Sequence, residues 1–312
     1  MFEGQYGEIL CQRSMLLDTW RTNSFKNAIF ANVKKGDLVI DFGAGSGILS
    51  MFAAQAGAKK VYAIEVDTDT ATVLKKNVMK NKLQHIIEIY NGDGEGFNIN
   101  EKADVIVSED MGDCLIENKM NYIFLKLVKQ FLTDNGIIIP SRQTLYASPA
   151  FLNDMHEENI FFNKNVYDLD LSEMIENNSK IRTVYCCDNR EVKLYDTKEL
   201  FTLEKNNFDP NESVISKEIK FHANEDMLIN GMLLTWDCLL GKDSNGNDIH
   251  LHNFPTRLSS LSKSHSWFQY LLLLNKIEEK VRKNQHVSFH IEIPLISKST
   301  YDDIKYCYNI YS

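Results

Sequence analysis

Nowhere do eighteen apolar residues follow one another, and the opening Met1-Phe2-Glu3-Gly4-Gln5 is not a signal peptide. Both absences argue against a membrane partner and for a cytoplasmic protein. The six cysteines (Cys11, Cys114, Cys186, Cys187, Cys238 and Cys307) are scattered, with neither CxxC nor Cys/His spacing. Reduced thiols are therefore expected, and no metal site. No basic block stands out and the net charge is −9. Nucleic acid is thus a poor partner, whereas a cationic substrate or peptide is attracted. Internal repeats and low-complexity runs are also missing.

What is present is length enough for two cores: 312 residues, 44% of them hydrophobic. The stretch Val39 to Ser50 organises the first of them. An apolar run suited to a buried strand ends in Gly43, Gly45 and Gly47, and an alanine-rich helical run, Ile48 to Ala56, follows at once. Such a turn needs glycine, because positive φ and close approach of backbone to ligand exclude a Cβ. The free N–H groups of the helix start then face whatever lies on the turn. A second strand, Lys60 to Ile64, ends in Glu65, placed to accept from ribose hydroxyls. A nucleoside ligand is expected. The glycines alternate behind Asp41 instead of following the dinucleotide spacing, and D-x-G-x-G-x-G resembles motif I of class I S-adenosylmethionine (SAM) methyltransferases. A dinucleotide site and a purely structural turn are the alternatives.

Around this unit the periodicity predicts helices over residues 7 to 31, a helix from Asp67 to Asn81, strands at Ile86 to Tyr90 and Ala103 to Ser108, a helix from Lys119 to Leu132 and a strand at Ile137 to Ile139. Apolar strands alternating with helices imply a parallel sheet covered on both faces. From Ser141 onward short alternating stretches, among them Thr144 to Ala147, Met227 to Trp236 and His286 to Ile293, predict an antiparallel β domain. The expected division is 1–32 N-terminal helices covering the cofactor site, 33–140 SAM-binding Rossmann-like domain, and 141–312 β-barrel-like substrate domain with an arm at about 151–180.

Further motifs make the resemblance specific. Asp41 to Glu65, including Leu49-Ser50-Met51-Phe52-Ala53-Ala54, is similar to the protein arginine methyltransferase family. Met15-Leu16-Leu17-Asp18-Thr19-Trp20-Arg21 resembles its M-L-x-D-x-x-R segment, and Tyr6 fits the aromatic of the preceding helix. Ser108-Glu109-Asp110-Met111-Gly112 resembles the opening of the double-E loop, with Met120 at the later Met position. Pro140 to Tyr146 resembles the crossing into the β-barrel, Phe162 to Asp170 the dimerisation arm, and Ser264-His265-Ser266-Trp267 the T-H-W loop.

The resemblance implies a Rossmann-like methyltransferase sheet followed by an antiparallel β-barrel with a dimerisation arm, a homodimer, and SAM as cofactor with S-adenosylhomocysteine as product. Arg21 would pair with the SAM carboxylate, Asp41, Gly43 and Gly45 would line the methionine part, Glu65 would hold the ribose, and Glu95 after Gly94 would accept from the adenine amino group. Glu109 would grip a guanidinium, His265 and Asp18 form the candidate pair, and Tyr6, Met15, Met120 and Trp267 would shape the acceptor side. The sequence departs from the family there. The second glutamate's place is held by Asn118, and Glu117 comes one residue early, about 100° away if the segment is helical. Asp110 replaces a bulky apolar residue, and Gln12 stands where the N-terminal helix often has His. The expectation is an arginine or guanidino N-methyltransferase using Glu109 with help from Glu117 or Asp110. A small-molecule N- or O-methyltransferase and a catalytically silent SAM-binding module are the alternatives.

Overall fold

The computed structural model describes residues 9–109, 111–112, 115, 119–163, 165–176, 181–184, 192–207, 214–255, 267–274, 278–294 and 304–312. Two helices lead in, α1 (Ile9–Leu17) and α2 (Thr19–Asn32). The side chain of Asp18 caps α2 by accepting from the Arg21 amide at 3.1 Å, as a helix start requires. One face of α2 is buried through Phe25, Ala28 and Ile29, whereas α1 has no buried residue. Apolar burial alone does not hold α1 in place.

Then follow β1 (Leu38–Phe42), α3 (Ile48–Ala56), β2 (Lys60–Glu65), α4 (Thr68–Lys80), β3 (Ile87–Asn91), β4 (Ala103–Ser108), α5 (Lys119–Phe131) and β5 (Leu132–Ile139). The five strands lie in the order β3-β2-β1-β4-β5, and every pair is parallel. All five residues of β1 are buried, which is why that strand reads as an almost unbroken apolar run. The strand expected at Ile137 begins earlier, at Leu132. Its register against β4 shifts between Ala103 and Val105, a bulge that absorbs the turn-like residues Asp134, Asn135 and Gly136.

Strand order reverses between β1 and β4, so the crevice for a ligand lies at the carboxyl ends of these two strands. Register fixes what stands there. Asp41 and Phe42 lie beside Ala63 and Ile64 on one side and beside Val107 and Ser108 on the other. Gly43, Glu65 and Glu109 therefore emerge together at one edge.

After Pro140 the chain turns antiparallel. The long strand β6 (Arg142–Leu152) pairs with Gly231–Lys242, Lys198–Glu204 and Val192–Leu194 within a seven-stranded sheet. Val214–His222, His286–Pro294 and Lys305–Tyr311 form a further three-stranded sheet. The architecture is thus a Rossmann-like parallel sheet followed by a curled antiparallel one. A single apolar cluster runs from Val39 and Val107 through Phe25 and Ile29 into Leu234, Trp236 and Phe289. The crevice is thereby tied to the antiparallel half, and the rings of Trp20 on α2 and His252 meet at 5.1 Å.

Candidate active site

The glycine turn has the conformation its composition demands. Gly43, Gly45 and Gly47 have φ of 72°, 53° and 85°, which side chains other than glycine rarely tolerate. A Cβ on Gly45 would lie 2.6 Å from Oε1 of Gln12, and one on Gly43 would meet the Met120 methyl at 3.0 Å. The turn is a cradle with no room for a side chain.

Glu65 closes it from the end of β2. Its carboxylate accepts from the Gly45 amide and the Asp67 amide, each at 2.8 Å. A carboxylate has about four acceptor positions, so capacity remains for a hydroxyl donor. Burial pushes the Glu65 carboxyl above the usual range, opposed by the amides of Asp67 and Gly45. Beneath the turn Asp41 is fully buried. One of its oxygens accepts from the Ser50 hydroxyl at 2.6 Å, and the other, Oδ1, has no partner among the described residues. Burial drives this carboxyl up to about 7, against the pull of the Ser50 hydrogen bonds.

The N-terminal helices bring the counter-charge. Arg21 is buried, its Nη1 donates to the Met15 carbonyl at 3.3 Å, and its Nη2 donates to the carboxylate of Glu109 at the end of β4. Its Nε is buried without an acceptor among the described residues. Burial lowers the guanidinium to about 10, while neighbouring Asp18 pulls the other way. The expected partners of Arg21 and Glu109 were ligands; the structure makes them partners of each other. Trp267 completes this wall: its ring lies 6.0 Å from the Arg21 guanidinium, and its indole N–H donates to the Met111 carbonyl at 3.1 Å.

Asp18, Met15, Arg21, Asp41, Gly43, Gly45, Glu65, Glu109, Met120 and Trp267 thus belong to one neighbourhood. Glu95 stands further out, exposed, with its carboxylate 3.5 Å from Lys126. The adjacent Gly94 is buried, and a Cβ there would strike Phe42 at 2.6 Å. Tyr6, Glu117 and His265, together with Asp110, Asn118 and Ser266, lie outside the described residues. Sequence reasoning treated Gln12 only as a departure, yet its Oε1 accepts from the Ser46 amide at 3.1 Å and anchors α1 on the glycine turn. The signal available was its i, i+3 spacing to Met15, which puts both on one helix face.

These residues fit a cationic nucleoside such as SAM. The cradle excludes side chains, Glu65 keeps acceptor capacity, Asp41 Oδ1 is an orphaned buried acceptor, and Arg21 Nε is an orphaned buried donor suited to a carboxylate.

Comparison with known proteins agrees. Residues 22–142 match the family model for ribosomal protein L11 methyltransferase (PrmA). The chain is 40% identical over 157 residues to protein arginine N-methyltransferase 6 of Danio rerio, covering 50% of this chain and 44% of that protein. It is 36% identical over 173 residues to the probable protein arginine N-methyltransferase 6 of Arabidopsis thaliana, covering 55% and 40%. The matched region spans less than half the length of these relatives. In fold the likeness is broader. The Trypanosoma brucei PRMT1 enzyme-prozyme heterotetrameric complex with AdoHcy contains a chain that superposes with a TM-score of 0.80 at 22% identity, over 98% of this chain and 99% of that one. Arabidopsis thaliana protein arginine methyltransferase 10 gives 0.74 at 24% identity, over 92% and 88%. By sequence over about half its length the chain is similar to protein arginine methyltransferases, and over nearly all of its length it shares their fold.

Proposed function

We propose that this protein transfers a methyl group from SAM to a guanidino nitrogen of arginine or of another guanidine-bearing substrate. The observation that carries the proposal is the Arg21–Glu109 pair: the carboxylate at the end of β4 already grips a guanidinium in the crevice. When bound, the sulfonium of SAM supplies an electrophilic methyl and leaves as the thioether of S-adenosylhomocysteine. Arg21, drawn to the donor's carboxylate through its unused Nε, would free Glu109 for the substrate. Glu65 would hold the ribose, Asp41 and the Gly43–Gly45 backbone the methionine part, and Glu95 beside Gly94 the adenine amino group.

Chemistry at the acceptor then rests on alignment. A guanidinium stays protonated at neutral pH, so Glu109, with Glu117 as the second carboxylate, would grip its planar fork and favour one nitrogen. That nitrogen forms the N–C bond as the S–C bond breaks, and its proton passes to the His265–Asp18 pair. Orientation of two bound reactants is worth up to ~7–11 kcal/mol, enough to dominate such a reaction. Tyr6, Met15, Met120 and Trp267 would wall the acceptor side. The division into 1–32, 33–140 and 141–312 follows this reading, as does a homodimer formed through the arm at 151–180. Among the described residues no helix is long and apolar enough to cross a membrane, and we place the protein in the cytoplasm.

Asn118, in the place of the family's second glutamate, favours a competing reading as a silent SAM-binding module. Incubation with methyl-labelled SAM and a panel of arginine peptides, free guanidines, amines and hydroxyl acceptors separates the two. Label on a guanidino nitrogen supports the proposal. Label elsewhere, or none despite bound SAM, overturns it.

A further inference from the structure

Two buried amides stand at the base of the segment that follows Glu109. Asn121 on α5 is 3% exposed and Gln143 on β6 is 1% exposed. The Asn121 amide nitrogen donates to the Leu115 carbonyl and to the Gln143 side-chain oxygen, both at 3.4 Å. Nε2 of Gln143 is buried without a partner among the described residues. Gln143 sits across from Leu203 on one neighbouring strand and Cys238 on the other, both buried. Burying an incompletely satisfied amide such as that of Gln143 in this seam costs about 1–3 kcal/mol by mutational measures. Packing alone would be served better by apolar residues.

The carbonyl they hold is unusual. Leu115 is buried with φ of 65°, and its N–H donates to the Gly112 carbonyl at 3.2 Å. A leucine in the left-handed region persists only where its surroundings over-determine it. Nearer Glu109, Trp267 holds the Met111 carbonyl at 3.1 Å. The backbone just beyond Glu109 is thus pinned at Met111 from the antiparallel half and at Leu115 from α5 and β6.

We propose that Asn121 and Gln143 are positioning residues for the acceptor side of the site, fixing the backbone at Leu115, as Trp267 does at Met111, so that the Glu109 carboxylate is held in register with the glycine cradle. This rests on the guanidino-methyltransferase reading above. A displacement of about 1 Å in such a site costs on the order of 100-fold in rate, so loss of the pin acts on kcat and leaves the cofactor residues untouched.

The test uses the full chain as wild type, Asn121→Leu, and the double variant Asn121→Leu/Gln143→Ala. Replacing both amides by apolar groups removes the stranded Gln143 nitrogen together with its neighbour and is expected to restore Tm. The double variant is expected to bind S-adenosylhomocysteine like wild type, to lose at least about tenfold in kcat on an arginine peptide, and to show faster amide exchange at Met111, Gly112 and Leu115. A double variant with wild-type kcat and wild-type exchange overturns the pin. Exchange is measured without substrate, so it decides the matter even if the wild type methylates no guanidino compound, an outcome that strikes the functional reading instead.

Discussion

The guanidinium of Arg21 donates to the carboxylate of Glu109 across 88 positions of sequence. Both side chains are close to fully buried, at 10% and 12% exposure. A buried charge that loses its partner is strongly destabilised, so neither can leave the other unless a ligand takes its place. An anionic group for Arg21 and a cationic group for Glu109 would satisfy that condition together, and SAM with a guanidinium supplies both.

Replacing Glu109 by Gln keeps the shape and deletes the charge. Methyl transfer is expected to fall by about 100-fold or more, as for loss of a preorganised electrostatic group. Affinity for S-adenosylhomocysteine should stay within about threefold, because Glu65 and the glycine turn are unaltered. Titration calorimetry and single-turnover methylation check both arms, and a wild-type rate removes Glu109 from the chemistry.

Glu65→Ala deletes the acceptor of the Gly45 and Asp67 amides as well as the one proposed for ribose. Cofactor affinity should weaken by about 10- to 100-fold, roughly 1.4–2.8 kcal/mol. Glu65→Gln, which keeps one acceptor oxygen, should fall in between. Calorimetry on variants with intact circular dichroism is the measurement, and unchanged affinity refutes the assignment.

Much of this cradle was legible in advance, since an apolar run, alternating glycines and an acid at the next strand end have few other physical uses. Pairings between distant parts were not. Arg21 and Glu109 both stood out as site residues, but nothing local says that they meet. The antiparallel half could be read only as a class, because β6 pairs with Gly231–Lys242 some 90 positions on, and alternation carries no partner information. The sequence predicts β5 only from Ile137 because Asp134, Asn135 and Gly136 disfavour strands; pairing beside β4 overrides that preference. Gln12 escaped because α1 buries no apolar face, so its attachment rests on polar contacts that periodicity does not reveal.

Asp41 should make stability depend on pH. Its folded carboxyl titrates at about 7, above the usual value of 3.8, chiefly through burial. The native state therefore keeps a proton that the unfolded chain has already released, and stability falls as pH rises from about 4 to about 7, by on the order of a few kcal/mol, then levels off. Asp41→Asn should flatten that slope. Tm measured between pH 5 and 8 for both proteins checks this, and parallel curves would show that Asp41 does not carry the effect. A cationic ligand beside Asp41 favours its charged form, so cofactor binding near pH 6.5 should release protons, read as a buffer-dependent enthalpy.

The segment proposed as a dimerisation arm makes the last prediction. Asn165–Val166 pairs with Leu169–Asp170 around Tyr167 and Asp168, both at positive φ of 54° and 62°, as in a type I′ hairpin turn. Tyr167 at the tip is 86% exposed, Leu169 61% and Phe161 51%, with Met174 also exposed. Large exposed apolar groups close together in sequence mark a surface that another molecule covers, and a second copy of this chain is the occupant proposed here. Sedimentation of the wild type at about 10 μM should give a dimer. Phe161→Asp combined with Leu169→Asp puts two charges into that contact and should give a folded monomer. A monomeric wild type, or a double variant that still sediments as a dimer, would assign these side chains to something other than self-association.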